Sequence, residues 1–411
     1  MKILFLNASS QLGGGERCLI DNIFAIQQKL PTAEISIIIT AASGSIVEEL
    51  QSFDVEVILL PLPIQIARLG DSSFSSTKIL LSLQLLLSSG AGLLSYWQKL
   101  RKIVVQIDPD FIHSNSFKTH LLGSSLKLSK PIIWHLHDFV SSRSLMKRLL
   151  KLVQNEKTVA IANSKATKDD WHEIFPQLPI EVIHNVVDIN RFAPNPALKE
   201  TIPIDNPDLI KVGLVATYAR WKGHDIFLQA IALLAQHQPQ LTTKVRFYII
   251  GGAIYETDRS QYSRSELVLL TRDLNIVELV EFIDFRSDIE SIYNSLDIVV
   301  HTSTKPEPFG RTIVEAMACE KAVIVANAGG AAELFTDGRD AIGVIPGDPD
   351  ALAAAILDLI ESPEKRLALG KAARQTVIER FDRDRLGTDL MSIYSHLVLA
   401  RAESLSLRED F

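Results

Sequence analysis

Short runs of apolar, mostly β-branched residues alternate with helix-length segments along almost the whole chain. Such alternation predicts parallel sheets that are covered by helices on both faces, which is an α/β fold. The predicted strands are Ile3–Leu6, Ile35–Ile39, Val55–Leu60, Phe111–His113, Ile132–His135, Thr158–Ala162, Glu181–His184, Lys211–Val215, Lys244–Ile250, Val280–Ile283, Ile298–His301, Ala322–Ala326 and Ala341–Val344.

The segment from Asp188 to Asp208 interrupts this pattern with four prolines in 21 residues and few apolar groups. It predicts an extended linker between two domains, each a Rossmann-like, doubly wound parallel sheet. We place the domains at residues 1–190 and 209–379, with the linker at 191–208. Ligands of such sheets bind outside the carboxyl ends of the strands, so we expect the active site in a central cleft that both domains face.

Composition excludes several classes of protein. The chain has 411 residues with 42 Lys and Arg against 49 Asp and Glu, and this net charge of −7 argues against a globally basic nucleic-acid binder. Two cysteines exclude a disulfide scaffold and a thiolate zinc site, and they suit a reducing compartment, so we expect a cytoplasmic protein. The apolar run Ile3–Leu6 is too short for a signal peptide and predicts a buried strand.

Two segments raise the question of a membrane. Ile79–Gln98 carries no charge, but eight of its 20 residues are Ser, Gln or Gly, so a helix packed in the first domain is favoured over a membrane span. In the second segment Arg143, Lys147 and Lys151 recur every four residues and share one helical face. That face is either solvated or a peripheral contact with the inner face of a membrane.

A glycine cluster, Gly13-Gly14-Gly15, follows the first predicted strand. Three glycines leave backbone N–H groups unshielded, and a helix that starts near Glu16 adds the positive end of its dipole. These features predict a cradle for a diphosphate, although a plain tight turn explains them equally well.

The pair His135 and His137 ends another predicted strand, with both side chains on the same side. We favour His137 as a group that reaches a sugar hydroxyl or a reaction centre, and the alternative is a structural histidine bonded to Asp138. No third metal ligand is visible near the pair. The triplets at residues 108–110 and 348–350 are Asp-Pro-Asp turns, so we predict no metal there either.

A basic motif, Arg220-Trp221-Lys222-Gly223, follows the strand that opens the second domain. A leaving diphosphate needs fixed positive charge, which Arg and Lys provide when no metal is present. Solvated surface charge is the alternative for either residue alone.

The strongest motif runs from Lys305 to Ala318 and places Glu307 and Glu315 with seven residues between them. A tight loop at Gly310 precedes a helix whose first N–H groups, from Arg311 to Ile313, are expected to be unpaired and able to bind phosphate. Two carboxylates also suggest a glycosidase pair. However, one carboxylate lies on a loop and the other inside a helix, and the nearby cations favour an anionic ligand.

These motifs resemble those of the retaining GT-B glycosyltransferases of glycosyltransferase family 4, the "glycosyl transferases group 1" type. The stretch from Trp221 to about Gly347 carries the family's WKGHD, EPFGRTIVEAMA and AGGAAE in order, and GGGER, HLHD and the Asn185–Asp188 segment match it more loosely. The resemblance implies a GT-B fold whose last helix, within residues 380–400, packs back on the first domain.

The resemblance also implies roles for residues of the second domain. Glu307 would hold hydroxyls of the donor sugar, which Phe309 and Gly310 would line. Thr312 and Ile313 would touch the diphosphate at the start of the helix.

Glu315 would bind the ribose, and the base would stack near Phe285 and Arg286. Lys222, together with Arg220, would neutralise the departing phosphates.

In the first domain, Gly14 and Gly15 would let the loop approach the donor, and His137 would lie near the sugar and acceptor. The predicted catalytic residues are therefore His137, Lys222 and Glu307.

Two departures from the family pattern stand out. The Gly-Arg pair that usually precedes the lysine is Ala216-Thr217 here. The family's arginine is therefore either missing or replaced by Arg220. The usual Asn-Gly-Val-Asp is Asn185-Val186-Val187-Asp188, without its glycine.

The implied activity is transfer of a sugar from a nucleoside-diphosphate sugar to a hydroxyl of a glycan or lipid-linked acceptor in cell-surface polysaccharide or glycolipid synthesis, with retention and without a metal or other cofactor. The alternatives are a non-catalytic sugar-nucleotide binding module and a GT-B-type epimerase. No nucleic-acid partner is expected. The sequence leaves open the base, sugar, acceptor, linkage and oligomeric state.

Overall fold

The computed structural model describes residues 1–63, 90–198, 202, 208–253 and 260–409. Thirteen strands lie within these ranges, and each predicted strand is present with ends that differ by at most two residues. The strands are β1 Lys2–Asn7, β2 Glu34–Ile39, β3 Glu56–Leu59, β4 Phe111–Ser114, β5 Ile132–Leu136, β6 Thr158–Ala162, β7 Ile180–Val182, β8 Ile210–Val215, β9 Val245–Ile250, β10 Val280–Ile283, β11 Ile298–His301, β12 Ala322–Ala326 and β13 Ile342–Val344.

Helices separate most of these strands within the described residues. They are α1 Gly14–Lys29, α2 Ser45–Leu50, α3 Gly90–Ile107, α4 Phe117–Ser125, α5 Ser144–Val153, α6 Lys165–Ile174, α7 His224–His237, α8 Arg264–Asp273, α9 Ile289–Ser295, α10 Arg311–Ala318, α11 Pro349–Glu361, α12 Pro363–Arg380 and α13 Arg383–Glu409.

The chain divides into two compact units. Unit 1 comprises Met1–Val186 and Arg383–Phe411, and unit 2 comprises Val187–Asp382. Unit 1 holds a parallel sheet in the order β3-β2-β1-β4-β5-β6-β7, and unit 2 holds one in the order β10-β9-β8-β11-β12-β13. The predicted fold class of two Rossmann-like sheets is confirmed.

Successive side chains of each strand enter different hydrophobic cores, because neighbouring residues of a strand point to opposite faces. In β1, Ile3 and Phe5 belong to one core, and Leu4 and Leu6 belong to the other. Strands of unit 2 alternate in the same way between two cores. Burial on both faces explains why the strands read as continuous apolar runs.

The last helix, α13, packs on unit 1 although it follows unit 2 in sequence. Leu386, Leu390 and Tyr394 lie in the same core as β1 and α1. At the start of the helix, the Arg383 guanidinium lies 2.8 Å from the Asp21 carboxylate on α1.

The uncharged stretch Ile79–Gln98 falls partly outside the described residues. Its described end belongs to α3, which buries Tyr96, Leu100 and Val104 in the unit 1 core. Among the residues that the structure describes, no helix combines the length and the hydropathy needed to cross a membrane.

Candidate functional site

In unit 2, the loops after β8 and β11 carry Lys222 and Glu307. These strands are adjacent in the sheet, and the order of strands reverses there, since β9 lies on one side of β8 and β11 on the other. Such a reversal opens a crevice at the carboxyl ends of the strands. The Thr302 hydroxyl donates to the Lys222 carbonyl at 2.7 Å, and the Thr304 N–H donates to the Trp221 carbonyl at 2.8 Å. The two loops are therefore tied together.

Gly223 allows this close approach. Its φ is +72°, and a Cβ atom built there would lie 1.9 Å from the carbonyl oxygen of Thr302. Any side chain would separate the two loops, so glycine is required directly after the lysine.

The Lys222 ammonium is bound by the Glu307 carboxylate. Lys222 Nζ lies 2.9 and 2.8 Å from the two carboxylate oxygens of Glu307. The Ser303 hydroxyl donates to Glu307 Oε2 at 2.9 Å, and His301 Nε2 lies 3.2 Å from the same oxygen. Two residues predicted to act on the same ligand are thus bonded to each other.

Opposing forces act on the ionisation of Glu307, which is only 8% exposed. Burial acts to raise its pKa, but the Lys222 charge and the hydrogen bonds from His301 and Lys222 outweigh burial and bring the pKa below its ordinary value. Glu307 is therefore a carboxylate over the whole neutral range.

The glycine loop before α10 has the predicted form, but one predicted donor is already used. Gly310 caps α10 with a φ of +103°, and a Cβ there would lie 2.7 Å from Ile313 Cδ1. The Ile313 N–H donates to the Gly310 carbonyl at 3.0 Å, so the expectation that this group is unpaired is wrong. The tight first turn closes its own hydrogen bond, and this leaves the amides of Arg311 and Thr312 as the predicted phosphate ligands.

Glu315 lies in the second turn of α10 and is buried. The Tyr293 hydroxyl on α9 donates to Glu315 Oε2 at 3.1 Å, and Arg311 Nε lies 3.6 Å from Oε1. Burial and the neighbouring carboxylate raise the pKa of Tyr293 far above its ordinary value, so the hydroxyl keeps its proton and remains a donor.

The other predicted donor contacts of unit 2 differ in exposure. Phe285 is 56% exposed, whereas the Phe309 side chain is buried in the core, which leaves its backbone for a ligand. The Arg286 guanidinium forms two hydrogen bonds with the Asp288 carboxylate, at 2.8 and 2.6 Å.

Arg220 is bound by two other side chains of unit 2. Its Nη2 lies 2.6 Å from the Glu266 carboxylate, and its guanidinium covers the Tyr262 ring at 4.1 Å. A phosphate would have to compete with Glu266 for this arginine.

In unit 1, two residues of the glycine cluster lie inside the helix that was predicted to follow it. Helix α1 begins at Gly14, not near Glu16, so Gly14 and Gly15 form its first turn and Gly13 is the capping residue. The Gly13 N–H donates to the Glu16 carboxylate at 3.2 Å. Burial of the apolar face of α1 offsets the low helix propensity of glycine.

His137 lies beside this turn, since a Cβ at Gly15 would be 3.5 Å from its ring. His137 Nε2 is 2.8 Å from Asn115 Oδ1, and the ring stacks on His135 with centroids 4.4 Å apart. Asn115 is thus one hydrogen-bond partner of His137, and the Asp138 carbonyl accepts from the Trp171 indole at 2.9 Å.

A chain of imidazoles continues below His137. His135 Nδ1 lies 3.1 Å from His113 Nε2, and His113 Nδ1 lies 2.7 Å from the Tyr394 hydroxyl on α13. Burial, followed by the charge on His137, lowers the pKa of His113 to about 3 and moves that of His135 in the same direction, so both rings are neutral. Cys18 lies next to the histidine pair, so the expectation of no third ligand is wrong.

Besides Cys18, the sequence analysis did not identify four residues that contact the predicted site residues. His301 is the last residue of the buried strand β11 and Ser303 lies two residues further on, and polar residues at the end of a buried strand were a usable signal. Asn115 follows β4 in the same way. No local pattern marks Tyr293, because it meets Glu315 only through the packing of α9 against α10.

Two family models match the chain. The model described as Glycosyltransferase Family 4 matches residues 44–191, and the model described as Glycosyl transferases group 1 matches residues 200–376.

Similar proteins include glycosyltransferases of several organisms. D-inositol 3-phosphate glycosyltransferase 2 of Catenulispora acidiphila is 25% identical over 284 residues, which are 64% of this chain and 65% of that protein. The lipopolysaccharide core biosynthesis mannosyltransferase LpcC of Rhizobium leguminosarum is 30% identical over 226 residues, which are 54% of this chain and 62% of that protein. The alignments thus span less than two thirds of either relative.

The crystal structure of Anabaena Alr3699/HepE in complex with UDP and glucose is similar over a longer stretch. It has a TM-score of 0.77 and 27% identity, and the match covers 96% of this chain and 99% of that chain. Since the two family models cover most of both units and this relative matches along nearly the whole chain, the protein belongs to the GT-B glycosyltransferases of family 4, the glycosyl transferases group 1 type.

Proposed function

We propose that this protein transfers a sugar from a nucleoside-diphosphate sugar to a hydroxyl of a glycan or lipid-linked acceptor, with retention of the anomeric configuration. The observation that carries the proposal is the buried Lys222–Glu307 pair at the carboxyl ends of β8 and β11. The lysine is a fixed cation that can bind a phosphate. The carboxylate in contact with it can bind sugar hydroxyls.

Residues of unit 2 and the similar Anabaena structure support a nucleoside-diphosphate sugar as the donor. Glu315 lies in α10, whose first amides precede it by one turn, so a ribose diol and a diphosphate can be bound by the same helix. The exposed ring of Phe285 is suited to stack on a base. Anabaena HepE was crystallised with UDP-glucose, which makes UDP-glucose the first donor to test.

In the proposed reaction, the bond between the anomeric carbon and the diphosphate breaks, and the acceptor oxygen bonds to the same face of the sugar. Lys222 stabilises the charge that develops on the leaving diphosphate, while Glu307 orients the sugar. No metal ion and no side-chain nucleophile is required in this scheme. In unit 1, His137 is the residue that we assign to the acceptor.

The experiment is a thermal-shift and nucleotide-release screen with a panel of nucleotide sugars and candidate acceptors. A glycosyltransferase stabilised by one donor releases nucleoside diphosphate only when an acceptor is added. Stabilisation without release under any condition would indicate a binding module, and conversion of the sugar nucleotide without acceptor would indicate an epimerase. Retention is checked by NMR of the product linkage.

Glu315 provides a sharper test of the donor assignment. Glu315→Ala should weaken binding of the nucleoside diphosphate at least tenfold in calorimetry, because the ribose loses its acceptor. The control is Glu320→Ala on the turn after the same helix. Equal affinity of Glu315→Ala and wild type would contradict the ribose contact.

The acceptor side includes a surface suited to an anionic membrane. Helix α5 exposes Lys151 and Arg148 beside Leu145 and Leu152, and Leu152 is 79% exposed. Cations flanking exposed leucines are the composition of an interfacial helix. This supports a peripheral contact with a membrane that carries a lipid-linked acceptor.

Vesicle co-sedimentation tests this contact. We expect binding to vesicles with anionic phospholipid that falls as salt rises, and Leu152→Ser together with Lys151→Glu should abolish it. Binding equal to that on neutral vesicles, or unchanged in the double variant, would exclude the α5 surface.

A further inference from the structure

A second cluster of reactive side chains lies next to the glycine turn of unit 1. Cys18 on α1, with His135 and His137 at the end of β5, places one potential ligand atom from each residue within 4.8 Å of the others. Cys18 Sγ is 3.8 Å from His135 Nε2. In a tetrahedral zinc site the sulfur–nitrogen separation is about 3.6 Å, as follows from bonds of ~2.3 and ~2.05 Å. This pair therefore needs almost no movement to share an ion.

Contrary to the expectation from the cysteine count, we propose that Cys18, His135 and His137 bind a thiophilic divalent cation of the zinc class, with water as a fourth ligand. Thiolate and imidazole donors select zinc-like cations over Mg²⁺ or Ca²⁺, which prefer oxygen. Coordination releases the thiol proton of Cys18 to solvent, because the thiolate is the ligand.

The residues around the cluster already orient both imidazoles. Asn115 Oδ1 lies 2.8 Å from His137 Nε2, and His113 Nε2 lies 3.1 Å from His135 Nδ1. His113 is in turn held by the Tyr394 hydroxyl at 2.7 Å. Metal-binding histidines in proteins are oriented in this way by a hydrogen bond to the other ring nitrogen.

The surroundings also accept the tautomer that a cation would require. The Asn22 amide nitrogen lies 3.2 Å from His135 Nδ1, which places the ring proton on Nε2, towards Cys18. A cation at Nε2 moves this proton to Nδ1. Among the described residues, Asn22 Oδ1 has no hydrogen-bond partner, so a flip of the amide supplies the acceptor that the new tautomer needs. Asn22 can thus donate to His135 Nδ1 when no ion is bound and accept from it when an ion is bound.

Binding of a cation at this site would affect the proposed function. Only this part of the inference rests on that function. A His137 ring that ligates the cation is withdrawn from the sugar or acceptor. Micromolar Zn²⁺ is therefore expected to inhibit transfer, although the proposed reaction requires no metal.

Co²⁺ is the probe for the site, because thiolate ligation gives it a charge-transfer absorption band in the near ultraviolet. The full-length protein should bind one Co²⁺ with this band, and Zn²⁺ should displace it. Cys18→Ser should remove the band and weaken binding at least tenfold, and His135→Ala should weaken binding to a similar extent. Cys319→Ser, which changes the other cysteine, is the matched control and should retain the wild-type spectrum.

Absence of the band in the wild type, or its persistence in folded Cys18→Ser, would overturn the site. If Cys18→Ser does not fold, loss of Co²⁺ affinity in His137→Ala decides the question, and unchanged affinity there would equally overturn it. These readouts need no activity, so failure to find a donor leaves the test of the site intact. Inhibition by Zn²⁺ that Cys18→Ser relieves would support the link to transfer, and equal inhibition of both would reject that link.

Discussion

The two sheets reverse their strand order in the same way, beside β1 in unit 1 and beside β8 in unit 2, but the side chains at the two reversals differ in charge. In unit 2 an ammonium and a carboxylate, Lys222 and Glu307, lie 2.8 Å apart. In unit 1 the uncharged imidazoles of His113 and His135 are linked to His137 and, through it, to Asn115. One topology thus supports both a charged site suited to phosphate and a polar site suited to hydroxyl groups.

Removing the cation from the unit 2 site should have the largest effect. In Lys222→Ala, the buried Glu307 carboxylate loses its partner, and the leaving diphosphate loses its compensating charge. We expect turnover to fall about 10²- to 10³-fold and the free energy of unfolding to fall by about 3 kcal/mol. Nucleotide release and urea unfolding measure the two effects.

The exposed Lys305 in the same loop as Glu307 is the matched control. Lys305→Ala should change the unfolding free energy by less than about 0.5 kcal/mol. If the two variants behave alike, the Lys222–Glu307 pair does not carry the chemistry.

Acid should destabilise both units through buried histidines, and His113 in unit 1 and His224 in unit 2 are the two considered for this test. Burial, followed by the neighbouring charge of His137 or Lys222, lowers the pKa of His113 and of His224 to about 3. Unfolded histidine binds a proton near pH 6.5 while the folded rings do not, so stability is complete above that pH and is lost as the pH falls towards 3. Each histidine should cost about 2 kcal/mol on going from pH 7 to pH 5.

A substitution separates the two histidines. Neither ring nitrogen of His224 has a hydrogen-bond partner among the described residues, so His224→Leu should flatten the pH dependence without a large loss at pH 7. Urea unfolding at both pH values checks this, and an unchanged slope would show that His224 does not remain neutral in the folded protein.

The neutral network of unit 1 should respond to a single hydroxyl. Tyr394→Phe removes the partner of His113 Nδ1 and should lower the free energy of unfolding by about 1–2 kcal/mol. Three of the four tryptophans, Trp97, Trp134 and Trp171, lie in unit 1, so fluorescence follows its unfolding. Nucleotide affinity should stay at the wild-type value, and a change there would show that the network reaches the donor.

The smallest effect is expected at the exposed edge of unit 2. Arg220 is paired with Glu266, and both side chains are more than 40% exposed, so Arg220→Ala should cost less than about 1 kcal/mol of stability. We expect the donor KM to rise only roughly threefold, because Glu266 already compensates part of the Arg220 charge. A loss of turnover as large as that of Lys222→Ala would identify Arg220 as the missing arginine of the family pattern.

The strands and the loops that bear the motifs could be predicted because they depend on local patterns. Burial on both faces produced the apolar runs, and Gly223 and Gly310 marked turns that require a positive φ. The start of α1 was misplaced, because propensity argues against Gly14 and Gly15 in a helix while packing of the later α1 residues decides otherwise.

Contacts between distant residues could not be read from the sequence. Cys18 is 117 positions from His135, and Tyr293 is 22 positions from Glu315, and nothing in either spacing indicates contact. The pairing of Lys222 with Glu307 follows from the adjacency of β8 and β11, which the sequence does not state.

The position of α13 bears on how the protein is made. Leu386, Leu390 and Tyr394 complete the core around β1, yet the ribosome synthesises all of Val187–Asp382 before them. Domains usually fold in the order of their synthesis. Here the whole of unit 2 is synthesised before unit 1 is complete. Until α13 is made, β1 and its neighbouring strands keep part of their apolar surface uncovered.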